Sequence, residues 1–221
     1  MQKEKGFNEI TERLVFSWDY FYQYRKKVKN QFPDFWKLRV IKKPLEILKE
    51  EIQPQDKILD IGAGNREIGE KLIRTLNIKS YKSMDIDQNR FHDYYSLDEI
   101  DENFNAVFLF EVIEHLNLRE GINLIKRIHS LLLPKGKLFL TTPNLYHPHR
   151  YWDCQHKTPY RYDELGGFLL ALGFSIENIY RIYNDAFFRR IFRLYFAAYL
   201  HRYLGIDFAL SIFIVAKRDF N

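Results

Sequence analysis

The chain has one cysteine, Cys154, in 221 residues. No internal disulfide framework can hold it together, and a reducing compartment suits it. It has no run of about 18 uncharged apolar residues, which excludes a spanning helix from the expected architecture. Its first residues, Met-Gln-Lys-Glu-Lys-Gly, carry no apolar signal core, so the expected location is cytoplasmic. No internal repeat or low-complexity segment is visible, and solenoid and fibrous classes drop out. A strong charge of one sign is missing too. Lys plus Arg is 34 and Asp plus Glu is 29, leaving +5. That balance permits an anionic partner without requiring one. What the chain does have is apolar mass, 46% of its residues, enough for a full core. Nineteen Phe, fifteen Tyr and three Trp cluster near both ends.

Glycine is sparse, and two of the ten fall in Lys57-Ile-Leu-Asp-Ile-Gly-Ala-Gly-Asn65. Lys57 to Ile61 reads as a short buried strand that breaks into a turn at Gly62 and Gly64. Ile68, Leu72, Ile73 and Leu76 then share one helical face. Strand, glycine turn, helix opens a nucleotide-sized crevice at the carboxyl end of a first strand. A side chain at either glycine would hold a ligand off the backbone. Asn65 is placed to cap the helix, whose N-terminus presents free N–H groups. A second strand, Ser80 to Ile86, carries Asp85, 21 residues after Gly64. An acid there can accept hydrogen bonds from ribose hydroxyls.

Residues 1–50 read as an N-terminal helical cap. One helix carries Phe16, Tyr20, Phe21 and Tyr24, and a second runs from Leu38 to Glu51 after a turn at Pro33. Residues 51–221 read as the main domain. Within it, 91–104 suggests a small strand and loop. Asn105 to Phe110 is a continuous apolar run, the mark of a strand buried on both faces. It ends in Glu111-Val-Ile-Glu-His115. A helix over Arg119–Leu133 leads to a strand from Lys137 to Thr141, closed by Thr142-Pro-Asn144. The long polar loop from Leu145 to Tyr162 is the kind of segment that carries function. Asp163 is placed to cap the next helix, which Gly173 stops. Phe174 to Tyr183 is a strand, 185–204 a helical insertion, and Ala209 to Ala216 the last strand. The alternation predicts an α/β, doubly wound, mostly parallel sheet.

Leu-Asp60-Ile-Gly62-Ala-Gly64, Asp85, Glu111-Val-Ile-Glu114-His115-Leu116 and Leu-Leu-Pro134-Lys-Gly136-Lys-Leu-Phe-Leu-Thr-Thr-Pro143-Asn144 follow in order and spacing. Together they resemble the class I S-adenosylmethionine-dependent methyltransferases, over about residues 40–183. The resemblance implies a Rossmann-like seven-stranded sheet with an antiparallel last strand. It places Asp60, Gly62 and Gly64 at the methionine end of S-adenosylmethionine and Asp85 at the ribose. Residues near Asp101 to Phe104 would border the adenine, and Glu111 would face the transferable methyl group. One departure stands out: a third glycine often found in the family's turn is Arg66 here.

Glu111 and Glu114 stand three apart with His115 adjoining, and at a strand-to-helix junction they can converge. Oxygen and imidazole ligands suit a divalent metal. His156 in the polar loop is a fourth candidate ligand, with Asp153 as a partner behind it. This set resembles two metal-dependent branches of the family, the small-RNA 3′-terminal 2′-O-methyltransferases and the ubiquinone-pathway O-methyltransferases. There a metal such as Mg²⁺ or Mn²⁺ would bind the acceptor's hydroxyl oxygens and lower their pKa. Glu-x-x-Glu-His also occurs in metal-free relatives, where His115 or His156 would be the general base. Both readings stand on the sequence. The catalytic candidates are Glu111, His115 and His156, and the metal candidates add Glu114. His147 and His149 are substitute ligands, and Cys154 is expected in a packed turn.

The acceptor is less legible. Thr-Pro-Asn followed by His-Pro-His-Arg-Tyr-Trp-Asp and His-Lys-Thr-Pro-Tyr is similar to standalone methyltransferases of bacterial surface-glycan or lipid-linked sugar pathways. The expected reaction is O-methylation of a hydroxyl on a glycan, lipid-linked or other small-molecule acceptor. RNA 3′ ends come second, and a nicotinamide-dependent oxidoreductase is the alternative of another class. Arg150, Arg161 and the insertion could meet phosphates. In 185–204, Arg189, Arg190 and Arg193 sit within about one helical turn, beside many aromatics. That composition suits anionic lipid headgroups, base stacking or a homodimer contact. Packing against the N-terminal aromatics, or dimerisation, is the simplest expectation.

Overall fold

The computed structural model describes residues 2–148 and 153–219, leaving aside the side chains of 2–8 and 201. In chain order the elements are α1 (Gln2–Phe16), α2 (Trp18–Gln31), β1 (Arg39–Ile41), α3 (Pro44–Glu51), β2 (Lys57–Ile61), α4 (Glu67–Leu76), β3 (Ser80–Met84), β4 (Phe104–Phe110), α5 (Leu118–Leu131), β5 (Leu132–Pro143), α6 (Tyr162–Ala171) and β6 (Phe174–Ile182). The insertion holds α7 (Phe187–Ile191), a π-helical turn (Phe192–Phe196) and α8 (Ala198–Tyr203), and β7 (Ser211–Arg218) follows.

The strands form one seven-stranded sheet in the order β1-β6-β7-β5-β4-β2-β3. Every neighbouring pair is parallel except β5–β7 and β6–β7, so the last strand alone runs against the rest, as expected. Successive side chains leave a strand on opposite faces. Leu59, Val107 and Leu138 therefore meet α1, α2, α5 and α6, while Ile58, Phe108 and Phe139 meet α3 and α4. Helices on both faces explain why β2 and β4 need nearly unbroken apolar runs. From β2 the chain passes to β3 on one side and later to β4 on the other. The crevice at that switch point is where such sheets bind ligands. Gly62 follows β2 and Glu111 follows β4, so the two motifs meet there.

Several local expectations change. Leu38–Glu51 is not one helix. Arg39–Ile41 pairs in parallel with Tyr180–Ile182 as an edge strand, and the helix begins only at Pro44. Proline disfavours helical backbone at the residue before it and suits the first helical position. Residues 91–103 form no strand; a single bridge joins Tyr94 to Met84, Leu97–Glu99 is a 3-10 turn, and Phe104 already opens β4. The count of seven is reached with β1 instead. Asp163 is not a cap, since Arg161 holds the N-cap position. Asp163 is fully buried and accepts a hydrogen bond from Arg25 Nε of α2 at 2.6 Å. A carboxylate buried that deeply depends on its cation, so this pair fastens α2 to α6. The insertion does not bury its aromatics against α1 and α2: Phe188 is 84% exposed and Tyr199 83%.

Candidate active site

The glycine turn is built by backbone shape and by space. Gly62 has φ +72° and Gly64 φ +51°, the left-handed region that glycine enters without steric cost. At Gly62 a Cβ would also lie 2.3 Å from Val112 Cγ2. The Gly64 N–H donates to Asp85 Oδ2 at 2.8 Å, and Asp85 Oδ1 accepts from the Asp87 N–H at 3.0 Å. Asp85 thus ties the tip of β3 to the turn after β2, and its carboxylate keeps lone pairs for further donors. Asn65 Oδ1 accepts from the Glu67 N–H at 3.2 Å, but Arg66, not Asn65, holds the N-cap position of α4.

Arg66 fills the place of the missing glycine in the same left-handed conformation, φ +60°. That conformation costs a non-glycine residue about 1 kcal/mol or more. Its guanidinium carbon stands 5.5 Å from the centre of the Tyr81 ring. The Tyr81 hydroxyl donates to Asp60 Oδ2 at 2.7 Å. Asp60 is only 4% exposed. Burial pushes its carboxyl pKa from 3.8 up to about 7, against the Tyr81 hydrogen bond and the Arg66 charge. Gly69 of α4 makes room for this ring, since a Cβ there would lie 2.1 Å from Tyr81. Sequence reasoning missed Tyr81 and Gly69. Their alignment across a helix–strand contact leaves no signature along the chain.

Two cavities flank the Glu111–His115 junction. One, of about 1000 Å³, is lined by Gly62, Asp85, Leu97 and Asp98 among others. The second, of about 610 Å³, is lined by Phe110, Pro143, Ile182 and Leu210, with Glu114 and His156. Glu111 and His115 belong to both walls. Asp60 and Gly64 stand behind the larger cavity, not in its lining. Where 101–104 was expected, Leu97 and Asp98 reach the cavity, and Phe104 is fully buried at the start of β4. Cys154 is exposed on the wall of the larger cavity instead of packed in a turn.

Glu111 carries φ +55°, a sparsely populated conformation for a side-chain-bearing residue. Its N–H is held by Thr141 O and Thr141 Oγ1, each at 3.2 Å. Glu114 is 1% exposed. Its Oε2 accepts from Thr142 Oγ1 at 3.2 Å, while Oε1 has no partner. The Lys157 and Thr158 N–H groups donate to the Glu114 carbonyl at 2.8 and 3.1 Å. Thr158 Oγ1 donates to the Leu116 carbonyl at 2.7 Å. These bonds clamp the polar loop on the junction and bring His156 to His115, ring centres 4.9 Å apart. One ligand atom each from Glu114, His115 and His156 lies within 4.8 Å of the others. Glu111 stands beside this set and not within it. Burial, followed by the Glu111 charge, pushes the Glu114 carboxyl up to about 8. Asp153 Oδ2 is 3.7 Å from His156 Nε2. His147 lines the smaller cavity. His149 and Arg150 lie outside the described residues.

A family model described as a methyltransferase domain matches residues 24–192. The chain belongs to that family and is a class I S-adenosylmethionine-dependent methyltransferase. With membership in that family, the nicotinamide oxidoreductase reading falls. Among solved structures the chain is similar to a SAM-dependent methyltransferase from Archaeoglobus fulgidus, with 17% identity and a TM-score of 0.58 over 94% of this chain and 97% of that one. It is also similar to the 1,6-didemethyltoxoflavin-N1-methyltransferase of Burkholderia thailandensis, with 16% identity and a TM-score of 0.54 over 80% and 76% of the two chains. That structure holds 1,6-didemethyltoxoflavin and S-adenosylhomocysteine. A third similar structure is the [4+2]-cyclase SpnF, with 14% identity, a TM-score of 0.57 and 80% of each chain covered. At such identities the fold alone is shared, and the cyclase illustrates that one fold serves different chemistries. No curated protein matches the chain.

Proposed function

We propose that this methyltransferase O-methylates a hydroxyl of a glycan, lipid-linked or other small-molecule acceptor. In this reading a divalent cation, Mg²⁺ or Mn²⁺, is held by Glu114, His115 and His156 beside Glu111. The observation that carries it is the convergence of the buried Glu114 with His115 and His156, one ligand atom of each within 4.8 Å of the others, with Glu114 Oε1 accepting no hydrogen bond. A buried carboxylate left half-satisfied is costly unless a charged partner meets it. The donor set of one carboxylate and two imidazoles, with a second carboxylate adjoining, fits such a cation, Mn²⁺ better than Mg²⁺. Bound there, the cation would lower the pKa of an acceptor hydroxyl.

The larger cavity is the seat for S-adenosylmethionine. Gly62 leaves its backbone open toward the methionine end, Asp85 offers its carboxylate to the ribose, and Asp98 stands in the wall for the adenine. Asp60 supports the glycine turn from behind through Tyr81. S-adenosylmethionine, when bound, supplies an already electrophilic sulfonium methyl, so positioning delivers most of the rate. Glu111 borders both cavities, where an acceptor oxygen and the methyl group have to meet. Its place on both walls suits its carboxylate to take the hydroxyl proton. The apolar residues Phe110, Pro143, Ile182 and Leu210 of the smaller cavity favour an acceptor with an apolar portion over an RNA 3′ end, whose phosphates call for cations.

Incubation with methyl-labelled S-adenosylmethionine and fractionated cell extract tests this reading. Label is expected in lipid-linked or small-molecule pools, abolished by chelator and restored by Mn²⁺, and His156→Ala should imitate chelation. Full activity in chelator refutes the metal, and label in RNA refutes the acceptor class.

A further inference from the structure

The insertion between β6 and β7 carries a face that methyl transfer does not use. Phe188, Phe192, Tyr195, Phe196, Tyr199 and Tyr203 are all exposed. The half-buried side chains of the same stretch include Ile191, Leu194, Ala197 and Ala198, three and four residues apart, which marks the face turned toward the protein. Single surface aromatics need no explanation, but six gathered on one helical segment do. Between residues 186 and 206 there are four arginines and no acid. Asp185, at the root, pairs with Arg193 at 2.7 Å and with Arg189 at 3.9 Å. Arg189 is largely exposed even so, and Arg202 is exposed.

We infer that this insertion is a membrane-surface element that seats its aromatic face among the headgroups of an anionic phospholipid bilayer. The acceptor cavity then opens beside the lipid, and the acceptor is a bilayer-resident amphiphile bearing a hydroxyl. Tyrosine and phenylalanine together suit a layer that is apolar below and wet above. Arginines with no acid among them complement anionic headgroups. A second copy seated on this face would set arginines against arginines about a two-fold axis, which disfavours self-association. A single-stranded nucleic acid needs a cationic groove that follows its backbone, and none of these arginines lines either cavity described above. Among the described residues no helix is long and apolar enough to cross a membrane, so the contact is peripheral.

The stems of the insertion join it to the active site. Ile182 at the end of β6, and Leu210 and Ser211 at the start of β7, line the smaller cavity. A buried polar network fixes both stems. Asp207 accepts hydrogen bonds from Arg181 Nη1 at 3.0 Å, from Asn144 Nδ2 at 2.9 Å and from the Tyr183 hydroxyl, and Asn144 Nδ2 also donates to the Ala209 carbonyl at 2.9 Å. Asn144 of the Thr-Pro-Asn motif therefore locks the insertion to the sheet end that carries the catalytic candidates. The membrane contact stands on the surface itself; the nature of the acceptor rests on the O-methyltransferase reading above.

Flotation of the full chain with phosphatidylglycerol–phosphatidylcholine vesicles, with pure phosphatidylcholine as control, tests the contact. The protein is expected to float with the anionic vesicles at low salt and far less with the neutral ones. The double reversal Arg189→Glu, Arg190→Glu should lower the partition about tenfold or more. So should the triple change Phe188→Ser, Phe192→Ser, Tyr199→Ser, and both variants should bind S-adenosylhomocysteine like the parent chain. No flotation of the parent at low salt overturns the inference, as does flotation undiminished in both variants. A dimer that the triple change dissociates, or single-stranded RNA bound in place of vesicles, also overturns it. Flotation without methyl transfer to any lipid fraction refutes the acceptor class and leaves the membrane contact supported.

Discussion

Replacing Asp60 by asparagine should invert the chain's stability order across the pH scale. Asp60 lies behind the glycine turn, 4% exposed, and holds the Tyr81 hydroxyl. Burial raises its carboxyl from 3.8 to about 7. Between those values the folded chain keeps a proton that the unfolded chain has released. Stability from this group is therefore whole below pH 3.8, falls as pH rises, and is lost above about 7. At about 1.4 kcal/mol per pKa unit, the loss approaches about 4 kcal/mol. Asparagine does not titrate and still accepts from Tyr81. Its added N–H₂ has no evident partner, which costs about 1 kcal/mol at every pH. Asp60→Asn should thus be slightly less stable than the parent near pH 4 and about 3 kcal/mol more stable at pH 8. For a chain of this length that gain corresponds to roughly 6 to 12 °C in melting temperature. Urea melts of both proteins at matched pH values give the difference directly and cancel the contribution of other titrating groups. Parallel pH profiles for the two proteins would refute the burial argument.

Gly62→Ala should lose S-adenosylhomocysteine binding and fold poorly, because its Cβ would meet Val112 in a backbone with φ +72°; calorimetry and a thermal melt check this. Gly69→Ala should drive Tyr81 off Asp60 and cost about 1 to 3 kcal/mol in urea, and parent-like stability would contradict the packing described. Arg25→Met removes the shortest cation contact of a fully buried Asp163, leaving Arg161 Nε at 3.0 Å and Lys29 Nζ at 3.6 Å. With those two partners retained, the expected loss is about 3 kcal/mol, at the low end for a broken buried pair, and stability at pH 7 measures it.

The sheet and its switch point were legible because the apolar runs at Ile58–Ile61 and Ala106–Leu109 leave little choice to a chain covered by helices on both faces. The glycine turn, Asp85 and the Glu111–His115 junction could be placed for the same reason: each sits at a strand end. Strand β1 escaped notice since three residues, Arg39–Ile41, carry no period, and their pairing with β6 is decided by tertiary contact. Asp163 misled because an acid ahead of an apolar helix looks like a cap until Arg25 arrives from 138 residues away. His156 was suspected from its residue type, its place in the polar loop and the resemblance to metal-dependent relatives. What brings it to His115 is the pair of N–H groups that Lys157 and Thr158 give to the Glu114 carbonyl, an arrangement no spacing rule encodes. The aromatic insertion could be found by composition, but which of its faces is exposed depended on the fold.

The proposed divalent cation beside the S-adenosylmethionine cavity would be held by a carboxylate and two imidazoles. Titration of Mn²⁺ into the S-adenosylhomocysteine-loaded chain, followed by electron paramagnetic resonance, tests it without an acceptor in hand. The prediction is one saturable Mn²⁺ per chain, lost in Glu114→Gln and weakened in His156→Ala, with S-adenosylhomocysteine affinity kept in both. An unbroken free-Mn²⁺ signal in the loaded parent chain would contradict it.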